Sequence, residues 1–408
     1  MTLFTNIGQL VTVDAKGAPV KTGAHMSELH CIANTAVLAN ETIQWLGPSA
    51  EAPAGDYDVV DCRGGVVMPG FVDSHTHMVF AGSRAGEFAR RLAGVPYSQI
   101  AAEGGGILHT MRSVRSATAQ DLEEVCQGLV TSAMRHGTTT VEIKSGYGLD
   151  VDSELALLRA ARAVAGRVPV SVHTTFLGAH AVPPEYKQNA DDYVDLVVNN
   201  MLPRVASEGL AEFCDVFVDA GFFDAQQGER ILRAAQHHGM KSKVHADEIA
   251  LIGASQMAAR VGAISCDHLE HTTADGIDAL RNAGTVCTLL PGTAYTLRLP
   301  YPDARSMIAA GNIVALATDC NPGSCFTENM QTILSLACIN MGMSVEEAIT
   351  AATLHGAAAL GIANQCGSIE VGKRADMVVY ACKEYADVVY HFGVNHVSNV
   401  IIRGRVVA

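Results

Sequence analysis

The sequence predicts an α/β fold, a parallel (β/α)8 barrel, joined to a small composite β-sandwich built from both ends of the chain. Eight apolar, β-rich runs alternate with helix-patterned segments through its middle, the order that builds a parallel sheet covered by helices. Residues 1–63 and 369–408 read differently, as short strand-like pieces separated by turn residues. Neither end holds enough apolar surface for a core of its own, whereas together they suffice for one small sheet domain.

Taken in order, the N-terminal pieces are "LVTVDA", "AVLANETIQWLG" and "DVVDC". The barrel is expected over residues 64–368. Its strands fall at "VVMPGFVDSHTH", "TTTVEIKSGYG", "VPVSVHTTFLGAH", "CDVFVDAGFF", "KSKVHADE", "ISCDHLEH", "TVCTLLPG" and "IVALATDCNPG". Such runs are apolar on both faces, as in a sheet covered on both sides. Between them Leu122, Val125, Leu129 and Met134 recur at helical spacing. Ile231, Leu232 and Ala235 precede Gly239 at a helix C-terminus. After the eighth strand Ser344 and Glu347 stand at capping-box spacing in a helix ending at Gly361. The tail returns to strand-like "GSIEVGKRADMVVY", "DVVYHFG" and "VSNVIIRGRVVA".

Composition narrows the function. With 49% hydrophobic and 17% charged residues in 408, the chain suits a soluble enzyme with a large core. A formal charge of −14 argues against a polyanion-binding surface, although one local arginine can still hold a small anion. No apolar stretch reaches membrane-span length, and "MTLFTNIGQL" lacks a signal pattern. The expected partner is therefore a small molecule, with no nucleic acid and no membrane. Eleven cysteines without a CxxC pair point to a reducing, cytoplasmic compartment, where they serve as small buried hydrophobes.

The chemistry is concentrated at the predicted strand ends. In "GFVDSHTHMVF" the spacing puts His75 and His77 on one face of a strand, about 6–7 Å apart at Cα, as two ligands to one metal ion require. In a barrel such ends converge on one mouth. Reading them in turn gives Tyr147 after strand two, His180 after strand three, His245 and Glu248 at strand five, His268 at strand six and Asp319 at strand eight. His245 and Asp319 complete the pair to three imidazoles and a carboxylate. Zinc suits that set, and iron(II) or manganese could take the same ligands.

These residues, with "PGFVDSHTH", "AGSRAGEFARR", "EIKSGYGL", "TFLGAHAVPPEY", "HADE" and "ATDCNPGS", resemble the amidohydrolase superfamily over almost the whole chain. The resemblance implies one divalent ion, a homodimer, and hydrolysis of a cyclic amide by a metal-activated water. The implied substrate is 4-imidazolone-5-propanoate, in histidine degradation. Binuclear relatives carry a bridging lysine at the end of strand four; "CDVFVDAGFF" has none. Lys144 falls on strand two and is expected as a solvated or salt-bridged lysine near the mouth.

Roles follow from this. Asp319 both coordinates the ion and accepts the attacking water's proton; His268 orients that water or stabilises the oxyanion. Glu248 contacts the ring nitrogen and shuttles a proton, unless it is simply the carboxylate of a helix start. Arg84 follows strand one and can hold the propanoate by two hydrogen bonds. Tyr147 and His180 resemble the superfamily's substrate contacts, as do Asn321, Gly323 and Ser324; Tyr97, on the long glycine-containing excursion after Arg84, is a weaker candidate. A cytosine- or guanine-type deaminase of the same superfamily also uses His-x-x-Glu after strand five, but a nucleobase gives Arg84 no carboxylate to bind. A non-catalytic metal-binding scaffold is the third alternative.

Overall fold

The computed structural model describes residues 1–95, 99–100 and 103–408. One apolar run starts both sheets. Val66–Pro69 (β5) pairs into a sheet of the chain ends, and Phe71–Asp73 (β6) opens the barrel. Gly70 between them passes Thr139 so closely that a Cβ would lie 2.2 Å from its hydroxyl.

The first sheet has eight strands. Thr2–Val11 (β1) pairs antiparallel with Cys31–Ala39 (β2), which pairs with Ile43–Pro48 (β3). The opposite edge of β1 is shared: its first half runs parallel to Asp58–Asp61 (β4), its second to β5. A bulge between Phe4 and Ile7 marks the change. The sheet continues from β5 into the C-terminal strands, whose ranges close the chain. Phe4, Leu10, Val37 and Ile43 from the first residues bury against Met377, Val379 and Ile401 from the last, inside the curl of a single hydrogen-bonded sheet.

The barrel is an unbroken parallel ladder: β6, Thr138–Lys144 (β7), Ser171–Ala179 (β8), Phe213–Val218 (β9), Lys241–Ala246 (β10), Ser265–His268 (β11), Val286–Leu289 (β12) and Val314–Leu316 (β13). Seven fall within an expected run, β9 starts one residue before its run, at Phe213, and helices separate them. The Thr76–Cys320 bridge closes the ring. Asp73 reinforces the closure by accepting from the Thr318 amide at 3.0 Å and its hydroxyl at 2.6 Å.

Beyond the barrel come Met377–Tyr380 (β14), Val397–Ile402 (β15) and Arg405–Val406 (β16). Phe71 and Tyr380 meet edge to face at 6.4 Å where the two sheets dock. The expected helices form, with a capping box at Ser344 and Glu347 and a left-handed Gly239 after Ala225–His237. The helix after Ser344 is interrupted by a π turn over Ala351–His355. There the Thr353 hydroxyl donates to the Ile349 carbonyl at 2.6 Å, and Gly356 approaches the backbone of Val72. The cysteines are unpaired, and no helix among the described residues is long and apolar enough to cross a membrane.

Candidate active site

His75 and His77 leave β6 in extended backbone. Thr76 between them turns the other way, its hydroxyl donating to the Glu142 carbonyl at 2.6 Å, so the alternation aims both imidazoles into the barrel mouth. His245 comes from β10, and Asp319 follows β13 at φ 51° with its amide donating to the His75 carbonyl at 3.0 Å.

The rings are oriented from below. His75 Nδ1 donates to Asp267 Oδ2 at 2.7 Å, and His245 Nδ1 faces Asp215 Oδ2 at 2.9 Å. Placing the N–H at Nδ1 leaves Nε2 as a lone pair, the usual bracing of metal-binding histidines. The Nε2 atoms of His75 and His77 each lie 3.5 Å from Asp319 Oδ1, and those of His77 and His245 face each other at 3.4 Å. His75 Nε2 is buried with no hydrogen-bond partner. Donor atoms of the three histidines all lie within 4.8 Å of one another. Burial, then Lys144 and His245, hold His75 well below the ordinary imidazole range; burial, then His180 and His245, do the same for His77. Converging ring nitrogens, two of them on imidazoles that burial holds neutral, fit a divalent metal ion.

Of the two expectations for Lys144, the salt bridge holds and solvation does not. The side chain is fully buried beneath the histidines, with Nζ 2.7 Å from Glu142 Oε1, 2.8 Å from Asp215 Oδ2 and 3.8 Å from Asp267 Oδ2. The carboxylates that brace His75 and His245 are themselves buried, and a cation below them offsets the cost of that burial.

Glu248 is not a helix-start residue, since the next helix begins at Ala254. The loop carrying it is pinned by Asp219, at the end of β9, which accepts from the amides of Ile249 and Ala250 at 2.8 and 2.9 Å. Asp247, at φ 55°, ties the same loop to that of strand six by accepting from the Thr272 hydroxyl at 2.6 Å and from Ser255. Glu248 Oε2 thereby stands 3.7 Å from His268 Nε2, while Glu270 Oε2 stands 3.8 Å from His268 Nδ1. Burial pushes the Glu248 carboxyl up to about 7, opposed by His268 and assisted by Glu270 and Asp319. Burial alone would lower His268, but the carboxylates of Glu248, Glu270 and Asp319 outweigh it and raise the imidazole to about 10.

Above these groups lies a cavity of about 460 Å³. His77, Arg84, Tyr147, His180, His245, Glu248, His268, Asp319, Asn321, Gly323 and Ser324 all line it; His75 lies just beneath, and Tyr97 falls outside the described residues. His180 stacks on His77 at 5.1 Å and its Nδ1 donates to the Gly146 carbonyl at 3.0 Å, leaving Nε2 as an acceptor. Burial, then His245, lowers it to about 3. Arg84 donates Nε to Glu87 at 3.0 Å and lies so close to Gly323 that a Cβ there would sit 2.0 Å from Nη1. The Asn321 side chain is engaged within its own loop: Oδ1 accepts from the Gly323 and Ser324 amides, both at 2.8 Å, and Nδ2 donates to the Asp319 carbonyl at 2.7 Å. Sequence reasoning missed Asp215, Asp219, Asp267, Glu270, Arg91 and Arg298. Asp215 and Asp267 sit inside β9 and β11, and Asp219 just past β9, where the sequence marks no mouth-facing position.

Three comparisons bear on the site. A model of the amidohydrolase family matches residues 66–407. The chain is 46% identical to an imidazolonepropionase of Symbiobacterium thermophilum, over 99% of this chain and 96% of that protein. It is 45% identical to an imidazolonepropionase of Parabacteroides distasonis, over 99% and 98%. In fold it resembles a zinc-bound adenosine deaminase from Xanthomonas campestris (TM-score 0.74, 19% identity, 99% and 92% covered). It also resembles a guanine deaminase from C. acetobutylicum crystallised with guanine in its active site (TM-score 0.74, 13% identity, 100% of both chains).

Proposed function

The chain belongs to the amidohydrolase family, and from that premise we propose that it is an imidazolonepropionase, opening the ring amide of 4-imidazolone-5-propanoate to give N-formimidoyl-L-glutamate in histidine degradation. The observation that carries this is the convergence of three histidine nitrogens at the floor of one cavity, with a carboxyl raised by burial to near neutrality and several guanidiniums around it. A metal with an acid beside it suits amide hydrolysis, and the cations suit a ring bearing a carboxylate.

His75, His77, His245 and Asp319 would hold one divalent ion, Zn²⁺ by preference and Fe²⁺ as the alternative. When bound, that ion supplies an acidified water and polarises the ring carbonyl. The end of β9 offers no lysine, and Lys144 is held in its buried ion pairs, so a second ion lacks its bridge. Asp319 takes the proton of the attacking water as the new C–O bond forms at the carbonyl carbon. His268, held as a cation, stabilises the negative charge that develops on the carbonyl oxygen. As the C–N bond breaks, Glu248 delivers its proton to the departing ring nitrogen. The product carries a second carboxylate where the amide was. The absence of disulfides supports a cytoplasmic setting.

A deaminase is the competing reading, favoured by the fold similarity to the guanine deaminase and by the His245-to-Glu248 spacing. Turnover of 4-imidazolone-5-propanoate, cytosine and guanine, each with and without added Zn²⁺, separates the two. The proposal requires metal-dependent hydrolysis of the imidazolone alone. Preferential release of ammonia from either nucleobase would replace it.

A further inference from the structure

The guanidiniums of the cavity are not equivalent. Arg84 is paired with Glu87, and Arg91 donates to the Gly323 carbonyl at 3.3 Å. Arg298 lines the same cavity as an exposed residue, and its guanidinium has no hydrogen-bond or ion-pair partner among the described residues.

Its backbone is a second, independent observation. Arg298 caps the helix Pro291–Leu297 at φ 60° and ψ 39°, with its amide on the Ala294 carbonyl. Four other helices among the described residues end on a left-handed cap, and those caps are Gly262, Gly284, Gly311 and Gly342. Glycine enters that conformation without a Cβ clash, and arginine does not. Among the described residues the same conformation recurs at Asp247, His268 and Asp319 around the site, and also at turns away from it such as Arg63 and Arg403.

The position is also defined. Thr296, two residues earlier, hydrogen-bonds the Ser324 carbonyl, so the end of this helix is tied to the Asn321–Ser324 loop from the strand-seven side. Arg84 meets the same loop at Gly323 from the strand-one side. The loop's own Gly323 and Ser324 amides are taken by Asn321, so an anion above it must be held mainly by side-chain cations.

We infer that Arg298 is a specificity-determining residue that binds the carboxylate of the ring substrate, facing Arg84 across the Asn321–Ser324 loop. This deepens the imidazolonepropionase reading and rests on it. Because Arg84 with Glu87 is neutral as a pair, Arg298 adds, beside Arg91, positive charge that separates an anionic ring from a neutral one.

Arg298→Gly tests this without threatening the fold, since glycine relieves the left-handed cap. Its Tm should equal or exceed the parent's. Loss of a charge-assisted hydrogen bond should raise KM for 4-imidazolone-5-propanoate about 10- to 100-fold while kcat changes little, and Arg298→Lys should recover part of it. In parallel, calorimetry on the metal-loaded protein should show imidazole-4-propanoate bound more weakly by a similar factor and imidazole bound as before. An unchanged KM and an unchanged affinity for imidazole-4-propanoate in Arg298→Gly overturn the inference. If the parent fails to hydrolyse the imidazolone, the functional reading falls, and the calorimetric comparison still decides the role of Arg298.

Discussion

His77 and His245 point their Nε2 atoms at each other across 3.4 Å, with Asp319 Oδ1 3.5 Å from the first. Two ring nitrogens cannot both present hydrogens across that gap, and both rings are buried. The arrangement makes physical sense around a shared cation. Metal analysis of the purified protein should therefore find one divalent ion per chain, and His245→Ala should lose it. Two ions at full occupancy would contradict the single-ion reading.

Arg84→Met should raise KM for the imidazolone strongly, because removing one partner of a buried charged hydrogen bond costs about 2–5 kcal/mol. Gly323→Ala should mimic it, since the added Cβ would displace the Arg84 guanidinium. Steady-state kinetics on both variants decide the matter; parental KM in each removes Arg84 from the carboxylate site.

Asp219 is not part of the cavity lining, yet it holds the two amides that follow Glu248. A misplacement of about 1 Å in a reacting group can cost on the order of 10²-fold. Asp219→Ala should lower kcat by roughly that factor with metal content unchanged, and Asp219→Asn, which keeps one acceptor oxygen, should lose less. Equal kcat in parent and Asp219→Ala would show that the loop holds itself.

His355 predicts how stability follows pH. Its Nδ1 donates to the Val314 carbonyl at 2.8 Å, and its Nε2 accepts from the Lys21 amide at 3.1 Å. A second proton would break the latter bond. Burial lowers its pKa from 6.5 to about 4. The unfolded chain therefore takes up the proton first as pH falls, so stability present above pH 6.5 is lost progressively down to about pH 4. That loss is about 3 kcal/mol. Denaturant melts across this range should show a flatter profile for His355→Gln; identical pH slopes would clear His355 of the effect.

Much of this was legible in the sequence because the barrel imposes a simple rule. Apolar runs give strands, and the polar residues at their ends meet at one mouth; His75, His77, His245 and Asp319 were found that way. What the rule cannot see lies one layer down. Asp215 and Asp267 sit inside strands that read as apolar, and only the closed ring brings them under His245 and His75. Lys144 looked like a mouth residue for the same reason: periodicity gives a face and not a depth. Val66–Pro69 and Phe71–Asp73 read as one strand because nothing in their composition marks the change of sheet at Gly70. Arg298 carries no local signal, since a left-handed cap at a non-glycine residue appears only in the backbone.

In the proposed reaction Glu248 is a proton donor beside the metal and not a ligand to it. Bound metal and kcat measured on the same preparation of Glu248→Ala test that most directly. Metal should stay at the parental level while kcat falls by about 10²- to 10⁴-fold. Loss of the metal would make Glu248 a ligand, and normal turnover would leave it no part in the chemistry.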